Sequence, residues 1–202
     1  MKALLKKDIF CVLKSMKVFL LVIALFAVIP GYSASSFAII YAAMLPLTAL
    51  AYDERSKWDV LAATMPYSPR QIVLSKYVLG LFGVLASLAL MLASQSIINP
   101  GRFDGETLFL LLTTAGAGVL LLVLSLPLAF HFGVEKGRLF LMAMLAGTGV
   151  AVIALNGRLT QAFTAATLPA PLVALLAVAA LCAAAAVSVG ISEKFYAKKQ
   201  GR

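Results

Sequence analysis

Charge is the scarcest thing in this chain of 202 residues: only 12% of its positions are Asp, Glu, Lys or Arg. A soluble globular domain carries about twice that fraction, so a soluble fold is excluded. Histidine occurs once, as His131, with no histidine or cysteine beside it. The two cysteines, Cys11 and Cys182, are far apart and lack metal-ligand spacing. Neither a metal site nor a histidine-assisted nucleophile is supported, and both thiols are expected to be buried and inert. No G-x-x-x-x-G-K-[ST] loop is present, so no nucleotide or other cofactor is expected on this chain. The ionisable residues all read as helix ends or loops, which counts against a proton- or sodium-coupled carrier. With neither a serine-histidine arrangement nor paired aspartates inside an apolar run, a membrane protease is excluded as well, and the chain is not expected to be an enzyme.

What the sequence has in abundance is apolar length. It is 62% hydrophobic, with a mean hydropathy of +1.01. Its long apolar runs predict an all-α, polytopic membrane protein with a single transmembrane domain over 1–202. Six spans are expected, at 16–30, 34–52, 71–98, 107–132, 139–155 and 169–191. Pro30-Gly31-Tyr32-Ser33 would turn the first hairpin, and Asn99-Pro100-Gly101 would end the third span. Pro46, inside the second span, is a candidate hinge, although a static kink satisfied by a neighbouring helix is the simpler expectation. Gly116, Gly118 and Pro127 permit close approach and bending in the fourth span. Ala180, Ala184 and Ser188 form a small-residue face in the sixth, expected to pack within the chain. Gln95, between Ser94 and Ser96, is expected to bond between helices near the outer end of the third span.

The formal net charge of +9 would suggest nucleic acid in a soluble protein. Here the basic residues lie between apolar runs without interleaved aromatics, so nucleic acid is discounted as a partner. In the six-span arrangement fifteen of the seventeen Lys and Arg fall on the inner side, leaving only Arg102 and Arg158 outside. That bias predicts both termini in the cytoplasm. No small-residue cleavage site follows the basic amino terminus, so no cleaved signal peptide is expected. Residues 1–15 read either as a basic amphipathic helix, with Leu5, Ile9, Val12 and Leu13 on one face and lysines elsewhere, lying along the cytoplasmic leaflet, or as a frayed basic lead-in.

The longest polar interval of the first half, 53–77, has its own internal order. Asp53 and Lys57, and likewise Arg55 and Asp59, stand four apart and would pair on the wet side of a helix over about 53–65. Trp58, Leu61, Ala62 and Met65 would form the opposite, apolar stripe. Pro66 would end that helix and serve as a second candidate hinge. Ser68, Pro69 and Gln71 then read as N-cap, first residue and N3 of the next helix. On physical grounds the short helix is either interfacial, with Trp58 and Met65 among headgroups, or a docking element for a partner protein.

The run Tyr52-Asp53-Glu54-Arg55-Ser56-Lys57-Trp58-Asp59, with Thr64-Met65-Pro66-Tyr67-Ser68 and Ile72-Val73-Leu74-Ser75-Lys76-Tyr77, resembles the loop between the second and third spans of small ABC-2 type transporter permeases. The subgroup it is most similar to includes exporters of phenol-soluble modulins and antimicrobial peptides in Gram-positive bacteria. The resemblance implies an elbow helix at the amino terminus and a coupling helix at about 53–65 that rests on a separate ATPase. It places Asp53, Glu54, Arg55, Lys57, Trp58, Asp59, Leu61, Met65, Pro66 and Arg70 at that contact. It further implies two ATPase subunits holding ATP and Mg, a second permease copy or close paralogue, the lipid bilayer of a bacterial plasma membrane, and an amphipathic peptide as cargo. The competing class is a non-transporting scaffold or regulatory anchor. An uncoupled pore is disfavoured, because no polar stripe runs along any span.

Overall fold

The computed structural model describes residues 2–15, 17–28, 32–98, 105–140, 142–143 and 170–200. These residues form helices and turns, with no strand among them: α1 (Lys2–Ser15), α2 (Lys17–Val28), α3 (Tyr32–Ala43), α4 (Leu45–Arg55), α5 (Trp58–Ala63), α6 (Pro69–Ile98), α7 (Gly105–Phe132), α8 (134–140) and α9 (Ala170–Gln200). Four helical stretches among the described residues are long and apolar enough to cross a membrane: Phe37–Arg55, Pro69–Ser94, Leu111–Phe132 and Val178–Lys198. Of the expected first span, 16–30, the described residues include α2, 12 residues long, and the remainder lies outside them. The expected fifth span lies, from residue 144 onward, outside the described residues, as do the turns at Pro30-Gly31 and Asn99-Pro100-Gly101.

The second expected span is interrupted at Met44. Pro46 has no N–H to give to the Ala42 carbonyl. The chain tightens there, with Met44 N–H donating to the Tyr41 carbonyl (3.1 Å), and α4 restarts with Pro46 in its first turn. The freed Ala42 carbonyl lies against Gly83 of α6, where a β-carbon would stand 3.2 Å from the oxygen. A glycine opposite the break is what lets α6 approach this irregular backbone.

Two buried clusters result. One joins α1, α2, α3, α4, α6 and α7 through Val12, Ile23, Ala38, Ile39, Leu45, Leu79, Val84, Met91 and Leu111. The other gathers Leu4, Leu50, Ala62, Val73, Leu126, Phe130, Val134 and Tyr196. It brings α1, the α4–α6 segment, the end of α7, α8 and the end of α9 to the same end of the bundle. These are the four regions that the charge distribution assigns to one side of the membrane. Phe82, Leu85 and Val187 are exposed on the outside, as expected where the solvent is lipid.

α9 differs from expectation in two ways. It does not end at 191 but continues to Gln200, because no Gly or Pro follows Gly190 before that point and Tyr196 is buried edge-on against Phe130, ring centroids 5.7 Å apart. Its small-residue face is also not used within the chain along most of its length. Ala180 and Ala184 are exposed, and only Ser188 is buried. There the contact is polar: Tyr77 Oη lies 2.6 Å from Ser188 Oγ and 3.0 Å from Ser192 Oγ, and Ser188 Oγ donates to the Val123 carbonyl. Cys182 is exposed on the same helix rather than buried. His131 stacks edge-on against Phe132 and Phe195.

Candidate functional site

The segment between α4 and α6 is not one helix over 53–65. Asp53, Glu54 and Arg55 complete α4, which closes at Ser56 with the Ser56 N–H donating to the Tyr52 carbonyl at 2.9 Å. Lys57 then takes a left-handed conformation, φ 53° and ψ 35°, and α5 begins at Trp58. The i to i+4 pairing of Asp53 with Lys57 therefore does not form. The left-handed residue swings Lys57 out to solvent while Asp53 points into the bundle. The Arg55–Asp59 pair rests on an Asp59 side chain outside those described. A non-glycine residue at positive φ stores about 1 kcal/mol. Lys57→Gly is accordingly expected to leave thermal stability in detergent unchanged or slightly raised, while Lys57→Val lowers it by about 1–2 kcal/mol.

The sharp bend sets Trp58 beneath α1. Lys7 Nζ lies over its indole ring, 4.2 Å from the centroid, a cation–π contact of about 0.5–2 kcal/mol. The indole N–H is enclosed without an acceptor among the described residues, so the ring is held by its face. The expected apolar stripe divides accordingly. Ala62 is buried and Trp58 and Met65 half-buried, whereas Leu61 is 50% and its neighbour Val60 69% exposed. Arg55, Lys57, Pro66 and Arg70 are exposed around them. The result is an exposed apolar pair on α5, with exposed basic residues before and after it in the chain. After the turn, Gln71 N–H donates to Ser68 Oγ at 3.3 Å, so α6 opens with the expected N-cap.

Under this surface lies a cluster of four charges that the sequence reading does not contain. Lys76 Nζ, on α6, is 2.7 Å from Asp8 Oδ1 of α1 and 2.6 Å from Asp53 Oδ2 of α4. Lys7 Nζ is 2.7 Å from Asp53 Oδ1 and 3.1 Å from Asp8 Oδ1. The side chains of Lys76, Asp8 and Asp53 are 1%, 2% and 9% exposed, and Lys7 closes the solvent side at 26%. Lys76, expected among the solvated inner charges, is thus interior. Two ammonium groups meet two carboxylates at charge-assisted distances, so the cluster is internally compensated. Each charge is already partnered, which suits a structural tie better than a site that binds and releases an ion. The same carboxylate bears on Cys11: burial first, and then Asp53, push its thiol up from the ordinary value, leaving it a poor nucleophile at neutral pH.

Glu54 makes the second link. Its Oε2 accepts from the Val134 N–H at 3.3 Å, placing a carboxylate at the start of α8. The chain reaches that point through Gly133 at φ +84°, beside the same carboxylate. Glu54 therefore joins the first polar loop to the second. Arg138 reaches back toward Thr48 Oγ1 at 3.4 Å.

Several long apolar helices and a polar end at which four chain regions interlock define a multi-pass membrane protein. The profile of the ABC-2 family transporter proteins matches residues 3–197, and the chain belongs to that family. Its members are the membrane subunits of ABC transporters, without an ATPase of their own, which implies a separate ABC ATPase as partner. No curated protein and no solved structure matches this chain.

Proposed function

We propose that this chain is the permease of an ATP-driven exporter in a bacterial plasma membrane, with six spans, both termini cytoplasmic, and the α4–α6 segment as its ATPase contact. Two permease chains, or one and a close paralogue, would stand over two ATPases that hold ATP and Mg. The observation that carries this reading is the exposed Val60–Leu61 pair on α5, flanked in sequence by the exposed Arg55, Lys57 and Arg70, on a helix whose Trp58 and Ala62 pack into the bundle. Apolar residues central to a patch with a charged rim are what a protein partner packs against. ATPase closure would push α5, and Trp58 and the ion cluster would pass the movement to α1, α4 and α6 together. The break at Met44 separates the displaced inner half of the second span from its outer half. The scarcity of charge within the spans suits an amphipathic or lipid-like cargo, and the family resemblance favours a small peptide.

The test is the double variant Val60→Glu with Leu61→Glu, co-expressed with the ABC ATPase that purifies with the wild-type chain. Neither residue is in the buried core, so the bundle should assemble. Capture of the ATPase and peptide-stimulated hydrolysis are expected to fall at least about tenfold, the effect of two hot-spot positions. Unchanged capture and hydrolysis would remove this surface from the contact. Capture by the wild-type chain without any stimulated hydrolysis would mark it as an anchor instead.

A further inference from the structure

α1 has two faces of opposite character. Leu4, Asp8 and Val12, four residues apart, are buried against the rest of the chain at 3%, 1% and 6% exposure. The only acid of the helix is therefore turned inward, into the ion cluster. The outward face carries Lys6, Ile9, Phe10, Leu13 and Lys14 and continues into Lys17, all exposed, with Phe10 at 63%. Positive charge thus stands at both ends of an apolar strip with no carboxylate to balance it. The strip does not stop at α1. Val18, Leu21 and Leu25, exposed along α2, prolong it onto the apolar helix expected to begin the first span.

We infer that the outer face of α1 is a seat for anionic phospholipid headgroups, and that its occupation holds Trp58 beneath Lys7. The lysines supply ammonium groups at headgroup depth while Phe10 and Leu13 enter the acyl boundary. Continuity with the apolar face of α2 selects a lipid over an acidic protein, since a protein would have to follow the strip into the bilayer. The consequence for the chain comes from the opposite face. Lys7 and Asp8 make the α1 half of the buried cluster, and Lys7 also covers Trp58. Lipid that pins α1 to the surface therefore favours the packed arrangement, and its loss frees the lysine that covers the indole. The inference concerns lipid and not the ATPase, so it stands apart from the proposed transport role.

Trp58 is the chain's only tryptophan and reports on this contact without labelling. The full-length protein would be placed in nanodiscs of phosphatidylcholine alone and of equal parts phosphatidylcholine and phosphatidylglycerol, and its fluorescence quenched with acrylamide. The quenching constant is expected to be about twofold lower in the anionic discs, with the difference shrinking as salt is raised. Lys6→Gln with Lys14→Gln and Lys17→Gln should give the neutral-disc value in both lipids, and arginine at the same positions should restore the difference. Equal quenching of the wild-type protein in the two lipids overturns the proposal, and this comparison needs no variant to fold. A glutamine variant that keeps the lipid response overturns the assignment of these lysines.

Discussion

Lys76→Met should destabilise the folded chain by about 3–5 kcal/mol, the cost of removing one partner from a buried ionic set. Methionine fills the volume and keeps the apolar stem, so packing is nearly conserved and the loss is electrostatic. It strands Asp8 and Asp53 near one another with only Lys7 between them, and Lys7 is the one member of the cluster with water on one side. In detergent, the unfolding midpoint should drop by about 10 °C, and expression should fall with it. Asp53→Asn in the same background removes the surplus negative charge and should recover a large part of the loss. That rescue separates an electrostatic tie from simple volume filling. Lys136→Met, on an exposed position of α8, should shift stability by no more than about 0.5 kcal/mol. If Lys76→Met behaved like Lys136→Met, the cluster would not be what joins α1, α4 and α6.

That tie is the part of the site least legible in the residues. Lys76 stands seven residues beyond the first residue of α6, near the helix start where a lysine is ordinarily solvated, and Asp8 directly follows two lysines that could neutralise it locally. A helical wheel does hold a trace of the arrangement. Leu4, Asp8 and Val12 share a face of α1, and Lys76 shares a face of α6 with Ile72, Val73 and Leu79, all of them buried. Periodicity can show that a charge lies on an inward face. It cannot show which helix brings the opposite charge, because that depends on three elements meeting 68 residues apart in sequence. The i to i+4 rule failed at Asp53 for a similar reason: a pair worth about 0.5 kcal/mol on a wet helix competes with burial against two lysines. Ser68, Pro69 and Gln71 were legible because an N-cap is decided within four residues. The membrane class was legible because apolar length is a property of the chain itself. Kinks and interruptions fall between these cases, and Pro46 announced an irregularity without showing that the helix would break before it, at Met44.

The second large effect is expected at Gly118. Gly116 and Gly118 lie on the same helix and look equivalent as small residues, yet the structure separates them. A β-carbon at Gly118 would meet Ile39 Cγ2 at 2.6 Å and Val84 Cγ2 at 3.7 Å, whereas one at Gly116 meets only Leu181 Cδ1 at 3.7 Å, an ordinary contact. Ile39 is fully buried and branched at its β-carbon, so its methyl cannot swing aside without moving α3. Gly118→Val should therefore cost about 1–3 kcal/mol by forcing α3, α6 and α7 apart. Gly116→Ala should be neutral or slightly stabilising, because glycine inside a helix carries a conformational cost of about 0.5–1 kcal/mol relative to alanine. In lipid the contrast is sharpened, since helices there are held by close packing rather than by exclusion from water. Ile39→Ala combined with Gly118→Val moves volume from one side of the contact to the other and should restore part of the lost stability. Equal losses at Gly116 and Gly118, measured by thermal unfolding in the same detergent, would mean that α3 and α7 do not meet at this point.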